Sequence, residues 1–258
     1  LMNSIEKIEK KDQELFNTIA DDYAKKDIIE STRIARKAIT LRAVEKILNQ
    51  KKTLGTVLDV GCGAGTQAFH LEGLYNKYIG VDYAEKLVDI GKKLTKNIKN
   101  IEFHACNIKD LNIEKKTIDT ILIVGGLHHM TNLEEIFNVF KKVSKDDCFL
   151  VAIEPQRENV FIQFLRKIRM KINPGYSSDQ HFFTKNEMYE ILDKLNVKSP
   201  QVEYTSYLTQ PFAQVVMRPQ FFFVPIVKFV IKLEKLVEKI IPNKFKKFSW
   251  CINVYCKF

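Results

Sequence analysis

Between Ser4 and Gln50 the apolar residues recur at intervals of three and four, as in Ile5, Ile8, Leu15 and Ile19 and again in Ile34, Ala38, Leu41, Val44, Ile47 and Leu48. That spacing predicts amphipathic helices. At Thr56 the period changes to a short apolar run, Thr56 to Val60, succeeded by Gly61-Cys62-Gly63-Ala64-Gly65 and a helical pattern from Thr66 to Leu74. The alternation then repeats, with strands expected at Tyr78 to Val81, Ile101 to Ala105, Thr120 to Val124 and Cys148 to Ile153, and helices at Glu85 to Leu94 and Leu133 to Val143. Strands separated by helix-length segments imply βαβ units with right-handed crossovers, which is a doubly wound α/β domain around a buried, mostly parallel sheet.

Beyond Ile153 the rhythm loosens. Glu154 to His181 reads as a basic, irregular stretch with a turn at Asn173-Pro174-Gly175, and Thr184-Lys185-Asn186-Glu187 matches a capping box that opens a helix. A strand is expected at Val202 to Leu208, and a last, antiparallel strand over Ser249 to Phe258 makes seven. The chain thus divides into three parts: an N-terminal helical cap over 1–50, the α/β domain over 51–208 and 249–258, and an insertion over 209–248. In that insertion Lys228, Lys232, Lys235 and Lys239 share one helix face, while Phe229, Val230, Leu233, Leu236, Val237 and Ile240 cover the other.

Composition changes this picture in one place. The 258 residues carry 41 Lys plus Arg against 31 Asp plus Glu, a formal net charge of +10, which in general suggests an anionic partner. Residues 221–258 hold eight of those lysines against two glutamates, together with nine aromatic residues, so the excess belongs largely to the insertion and the last strand. The helix of the insertion fits a lid over the substrate, a surface resting in a membrane interface, or a dimer contact. Five cysteines without a CxxC pair indicate neither a disulfide framework nor a zinc site. With no apolar signal core near Leu1 and no spanning run, the expected location is the cytoplasm, or the inner surface of the membrane. Asp146-Asp147 precedes its strand at the edge away from the ligand, so no metal is expected.

A GxGxG turn between strand and helix lets a ligand approach bare backbone beside unpaired helix N–H groups. Thr66 stands where a dinucleotide fingerprint has its third glycine, so a ligand without a pyrophosphate suits better. Asp82, at the end of the second strand, is placed for a carboxylate that accepts from both hydroxyls of a ribose. On Val57 to Gly65, Gly80-Val81-Asp82, Cys106 to Leu111 and Asp119 to His129, the chain resembles the class I S-adenosylmethionine-dependent methyltransferases, in their small-molecule branch. The resemblance covers roughly residues 54–155. It implies that Asp59, Gly61, Gly63 and Gly65 surround the methionine moiety of S-adenosylmethionine, that Asp82 meets the ribose, that Asn107 and Ile108 meet the adenine, and that Cys62 and Tyr83 also belong to the cofactor site. Val124 and Tyr23 are implied to border the same pocket, Tyr23 with Phe16 and Ala20 from a helix that closes over the cofactor.

For the chemistry, His128 and His129 come directly after the fourth strand at the ligand edge, where an imidazole can take a hydroxyl proton; a packing or capping role is the alternative. His181 is the third candidate, with a loop or capping role as its alternative. Glu154 could meet substrate or a backbone amide. Arg157, Arg166, Lys167, Arg169 and Lys171 could meet an anionic acceptor or be a solvated face. The leading expectation is an enzyme that O-methylates a sugar, glycan intermediate, phosphorylated or lipid-linked metabolite and releases S-adenosylhomocysteine. Alternatives are an RNA methyltransferase and a non-catalytic binding module. Against RNA, Gly125-Gly126-Leu127-His128 stands where amino-group base methylation uses Asn/Asp-Pro-Pro-aromatic.

Overall fold

The computed structural model describes residues 4–172 and 181–258, which leaves the turn expected at Asn173-Pro174-Gly175 outside the described residues. Two helices open the chain, α1 (Ser4–Ile28) and α2 (Glu30–Gln50). The α/β alternation continues as β1 (Thr56–Val60), α3 (Thr66–His70), β2 (Lys77–Asp82), α4 (Glu85–Leu94), β3 (Ile101–Ala105), β4 (Ile118–Val124), α5 (Leu133–Val143) and β5 (Ser144–Pro155). Then come α6 (Val160–Ile172), α7 (Lys185–Lys194), β6 (Lys198–Thr205), α8 (Gln210–Gln214), α9 (Gln220–Ile240), a 3-10 segment (Asn243–Phe248) and β7 (Cys251–Lys257).

The strands form one seven-stranded sheet in the order β3-β2-β1-β4-β5-β7-β6, parallel except for β7, which runs antiparallel to both neighbours. Alternation along β1 and β4 feeds two cores. Leu58, Ile121 and Ile123 join Phe137 and Phe140 of α5 on one face, whereas Val57 and Leu122 join Val44 and Ile47 of α2 on the other. Truncating a fully buried ring such as Phe140 would cost about 3–5 kcal/mol. Strand order reverses between β1 and β4, and the carboxyl edge at that reversal is where such sheets bind ligands.

Three expectations change, and one packing contact is added. The helix expected to reach Leu74 ends at His70, and Gly73 takes a φ of 79° soon after. The last-but-one strand begins earlier, at Lys198, and stops before Ser206 (φ 63°); Pro200 is tolerated because β6 is an edge strand with an irregular register between Lys198 and Gln201. The stretch after Ile153 is not irregular throughout, because Val160–Ile172 is a helix whose start is capped by Asn159 Oδ1 accepting from Ile162 N at 3.2 Å. Finally, α9 packs on α2 and α8 through Ala35, Ala213 and Val227.

Candidate functional site

The turn after β1 places Gly61, Gly63 and Gly65 at φ 72°, 54° and 66°, a region that side chains with a Cβ rarely adopt. At Gly65 a Cβ would also fall 2.4 Å from the Phe103 ring. The turn is fastened to the next strand, since Gly63 N–H donates to Asp82 Oδ2 and Ala84 N–H to Asp82 Oδ1, both at 2.8 Å. Burial pushes the Asp82 carboxyl above its ordinary value, and those two N–H bonds oppose the rise.

From this turn a pocket extends along the carboxyl edge of the sheet. Gly61 and Gly63 line one stretch, Asp82, Tyr83 and Leu87 the next, and Cys106, Asn107 and Ile108 another; Val124, Gly125, Gly126, His129, Met130 and Thr131 complete the wall. Across its mouth lies α1, which contributes Glu9, Phe16 and Tyr23. The helix can sit this close because Ala20 and Ala24 pack on Ala64, Ala84 and Leu87. Among these lining residues are two carboxylates and no Lys or Arg, so a chain with a net charge of +10 presents an acidic, aromatic-rimmed pocket that suits a cation-bearing ligand.

Each histidine of the β4 turn has its own carboxylate. Glu154, fully buried at the end of β5, accepts at Oε1 from Gly126 N (3.1 Å) and Leu127 N (2.8 Å), and its Oε2 lies 3.3 Å from His128 N and 2.7 Å from His128 Nδ1. Of the two roles open to Glu154, the contacts are those with backbone amides. Burial holds the His128 pKa below its ordinary value, against the pull of Glu154. The ring lies tilted between those of His129 (4.2 Å between centroids) and Phe182 (5.2 Å), and does not line the pocket. His129 does line it, with Nδ1 held 2.7 Å from Asp12 Oδ2 and the ring edge-on to Phe16.

The other expected residues separate in the same way. Asp59 lies inside β1, where Tyr78 OH donates to its Oδ2 while Oδ1 has no partner; burial pushes its pKa to about 7. Asp59, Cys62 and Gly65 shape the turn from behind and do not line the pocket, whereas Tyr23, Gly61, Gly63, Asp82, Tyr83, Asn107, Ile108 and Val124 do. Asn107 caps the 3-10 turn Ile108–Asp110, accepting from Lys109 N at 3.1 Å, and donates from Nδ2 to Glu9 at 3.2 Å. His181 sits away from the pocket, 63% exposed, with Nε2 3.7 Å from Glu187. Of the basic stretch, Arg157 pairs with Glu187 and Arg166 lies 4.2 Å over the Phe182 ring. Asp146 and Asp147 pair with Lys116 and Lys51 at the opposite edge. No residue of 209–248 lines this pocket.

Sequence reasoning missed Glu9 and Asp12. Their signal was present: Glu9, Asp12, Phe16, Ala20 and Tyr23 succeed one another at three, four, four and three, a single face of α1. Glu9 also accepts from Thr131 and lies 3.1 Å from Lys109 Nζ, which ties α1 to the far side of the pocket.

Comparisons with known proteins bear on the family. A family model described as a methyltransferase domain matches residues 51–196. A demethylmenaquinone methyltransferase of Lactococcus lactis is 34% identical over 150 residues, 54% of this chain and 58% of that protein. A probable S-adenosylmethionine-dependent methyltransferase of Saccharomyces cerevisiae is 26% identical over 56% of this chain and 50% of its own length. The matched region thus spans half to three fifths of these relatives. Among solved structures, a methyltransferase of Thermotoga maritima described as a possible histamine N-methyltransferase superposes with a TM-score of 0.64, covering 95% of this chain and 98% of that one at 16% identity. The family match runs from before β1 to just past α7 and so takes in the glycine turn, Asp82 and both histidines; the chain belongs to the S-adenosylmethionine-dependent class I methyltransferases.

Proposed function

We propose that the protein transfers a methyl group from S-adenosylmethionine to a hydroxyl of a small acceptor, such as a sugar, a glycan intermediate, or a phosphorylated or lipid-linked metabolite. Residues 51–208 and 249–258 act as the cofactor domain and 1–50 as its cap. The observation that carries the reading is His129, held by Asp12, in the wall of an acidic pocket whose glycine turn leaves backbone open. The residues fit the cofactor: Gly61 and Gly63 allow its amino-acid end to lie against backbone, Asp82 has lone pairs left for ribose hydroxyls beyond its two N–H bonds, and Asn107 and Ile108 border the adenine end.

When bound, S-adenosylmethionine supplies an electrophilic methyl group on a sulfonium. The chain's part is alignment, exclusion of water and removal of one proton. Phe16 and Tyr23 close the mouth against solvent, and with Glu9 and Asp82 they favour positive charge in the pocket. Asp12 holds His129 by Nδ1, which orients the ring so that the proton of an acceptor hydroxyl is taken at Nε2, and stabilises the imidazolium that results. Glu154 holds the turn bearing both rings.

A second reading, methylation at carbon, is supported by the 34% identity to the demethylmenaquinone methyltransferase. Calorimetry with S-adenosylhomocysteine tests the cofactor site: Asp82→Ala should lose about a hundred-fold in affinity, two charge-assisted bonds of about 1.5 kcal/mol each, and unchanged affinity refutes the assignment. Incubation with labelled S-adenosylmethionine and a panel of sugars, glycolipids, demethylated quinones and RNA, with the product bond read by NMR, separates oxygen from carbon. Label confined to quinone carbon or to RNA overturns the hydroxyl acceptor.

A further inference from the structure

Helix α9 is oriented the wrong way round for a helix that meets water. Its inward line is Val227 and Glu234, both buried, with the partly buried Ile231 between them, turned toward α2 and α8. Glu234 is only 8% exposed because its carboxylate accepts from Tyr207 N (2.6 Å), Leu208 N (2.8 Å), Thr209 N (2.7 Å) and Thr209 Oγ1 (2.9 Å). Glu238 turns the same way, to Arg42 Nε at 2.8 Å and Thr205 Oγ1 at 3.0 Å. The opposite line of the wheel is Phe222, Phe229, Leu233, Leu236 and Ile240, with Phe229 65% and Ile240 67% exposed. At about 1.5 Å per residue this apolar stripe is roughly 27 Å long. Lys228, Lys232, Lys235 and Lys239 run along one flank of it.

Helix α6 repeats the arrangement. Val160, Phe161, Phe164 and Ile168 are exposed, while Ile162 is buried. Phe245 and Phe248 of the 3-10 segment are exposed as well, and that segment is tied to the chain entering α6 by Asn159 Nδ2 donating to Phe248 O (2.6 Å) and Gln156 Nε2 to Lys247 O (3.0 Å).

We propose that the exposed apolar faces of α9, α6 and the 3-10 segment rest on an anionic lipid bilayer, with the phenylalanines at the acyl boundary and the lysines among the head groups. Charge selects this occupant over a second copy of the chain. The acidic residues of 209–248 are Glu234 and Glu238, and both are engaged on the inner side, so two copies paired through α9 would set lysine rows together with no carboxylate between them. An anionic head-group layer supplies the missing countercharge. No described helix is long and apolar enough to cross a membrane, which makes this a surface contact. Because the readout is binding, the inference stands apart from the identity of the acceptor.

Sedimentation of the full chain with vesicles tests it. Mixed phosphatidylcholine–phosphatidylglycerol vesicles should carry the protein down in a salt-sensitive manner, and pure phosphatidylcholine should not. Phe229→Ser with Leu236→Ser should weaken binding on the order of a hundred-fold. Replacing the four lysines by Gln should weaken it several hundred-fold, at about five-fold per lysine, and flatten the salt dependence. These side chains lie on the outer faces of the helix, so melting temperatures should barely move. Equal binding by wild type and variants overturns the proposal. So does sedimentation velocity that finds a dimer dissociated by the same substitutions together with no vesicle binding.

Discussion

Replacing Glu154 by Ala would strand the backbone N–H groups of Gly126, Leu127 and His128, which its carboxylate satisfies in the turn that carries both histidines. A buried donor left unpaired costs about 1–3 kcal/mol. Leu127 is buried while Gly126 and His128 are partly so, which puts the three together near about 3–6 kcal/mol. Removing a fully buried anion also ends its own desolvation cost, which returns part of this, so the net loss is about 2–4 kcal/mol. For a chain of this size each kcal/mol moves the midpoint by about 2–4 °C, so the variant should melt roughly 5–15 °C lower and show a matching loss in urea unfolding. Glu154→Gln should lose less than half as much, because one oxygen still accepts from Gly126 and Leu127. If Glu154→Ala unfolds within about 0.5 kcal/mol of wild type, the range of an ordinary surface change, the carboxylate does not hold the turn and the account of both histidines fails.

Single contacts carry further consequences. Gly65→Ala should destabilise through both its left-handed φ of 66° and the 2.4 Å approach of its Cβ to Phe103, and Phe103→Ala in the same chain should relieve the steric part; a strictly additive double variant in urea unfolding would contradict this. His129→Gln should lower kcat by about 10²–10⁴-fold for a neutral hydroxyl acceptor, and Asp12→Asn should lower kcat and alter its pH profile while leaving calorimetric cofactor affinity within a few fold; loss of cofactor binding alone would reassign the pair. The Asp59 carboxyl has a folded-state pKa of about 7, well above its ordinary 3.8. The folded state therefore holds a proton that the unfolded state has released, and stability rises as pH falls from above 7 toward 4. Asp59→Asn should stabilise the chain at about pH 8 relative to wild type and lose that advantage near about pH 5; a difference in melting temperature that ignores pH would rule this out.

The cofactor edge was largely legible because it is built from short-range constraints. A glycine turn directly after a strand, and an acid at the end of the next strand, need only the βαβ unit to bring them together, and Gly63 N–H does meet Asp82. Glu9 and Asp12 were harder to see because an acidic residue on a charged helix looks like solvated surface until the helix is docked. Helix α6 was read as irregular for a related reason. Val160, Phe161, Phe164 and Ile168 lie exposed, so the usual contrast between an apolar inner and a polar outer side is blurred.

The α/β alternation, the glycine turn and the ribose-placed acid were already present in the amino-acid order, because local period and turn chemistry set them within a few tens of residues. Tertiary structure alone decided which histidine enters the pocket and which face of α9 is buried. His128 and His129 are adjacent and chemically alike, and only the positions of Glu154 behind the turn and Asp12 on α1 separate them. In α9, sequence divided lysines from apolar residues, but the inward line runs through Val227, Ile231 and Glu234. A carboxylate that satisfies three backbone N–H groups can lie inside, and it turned the apolar face outward.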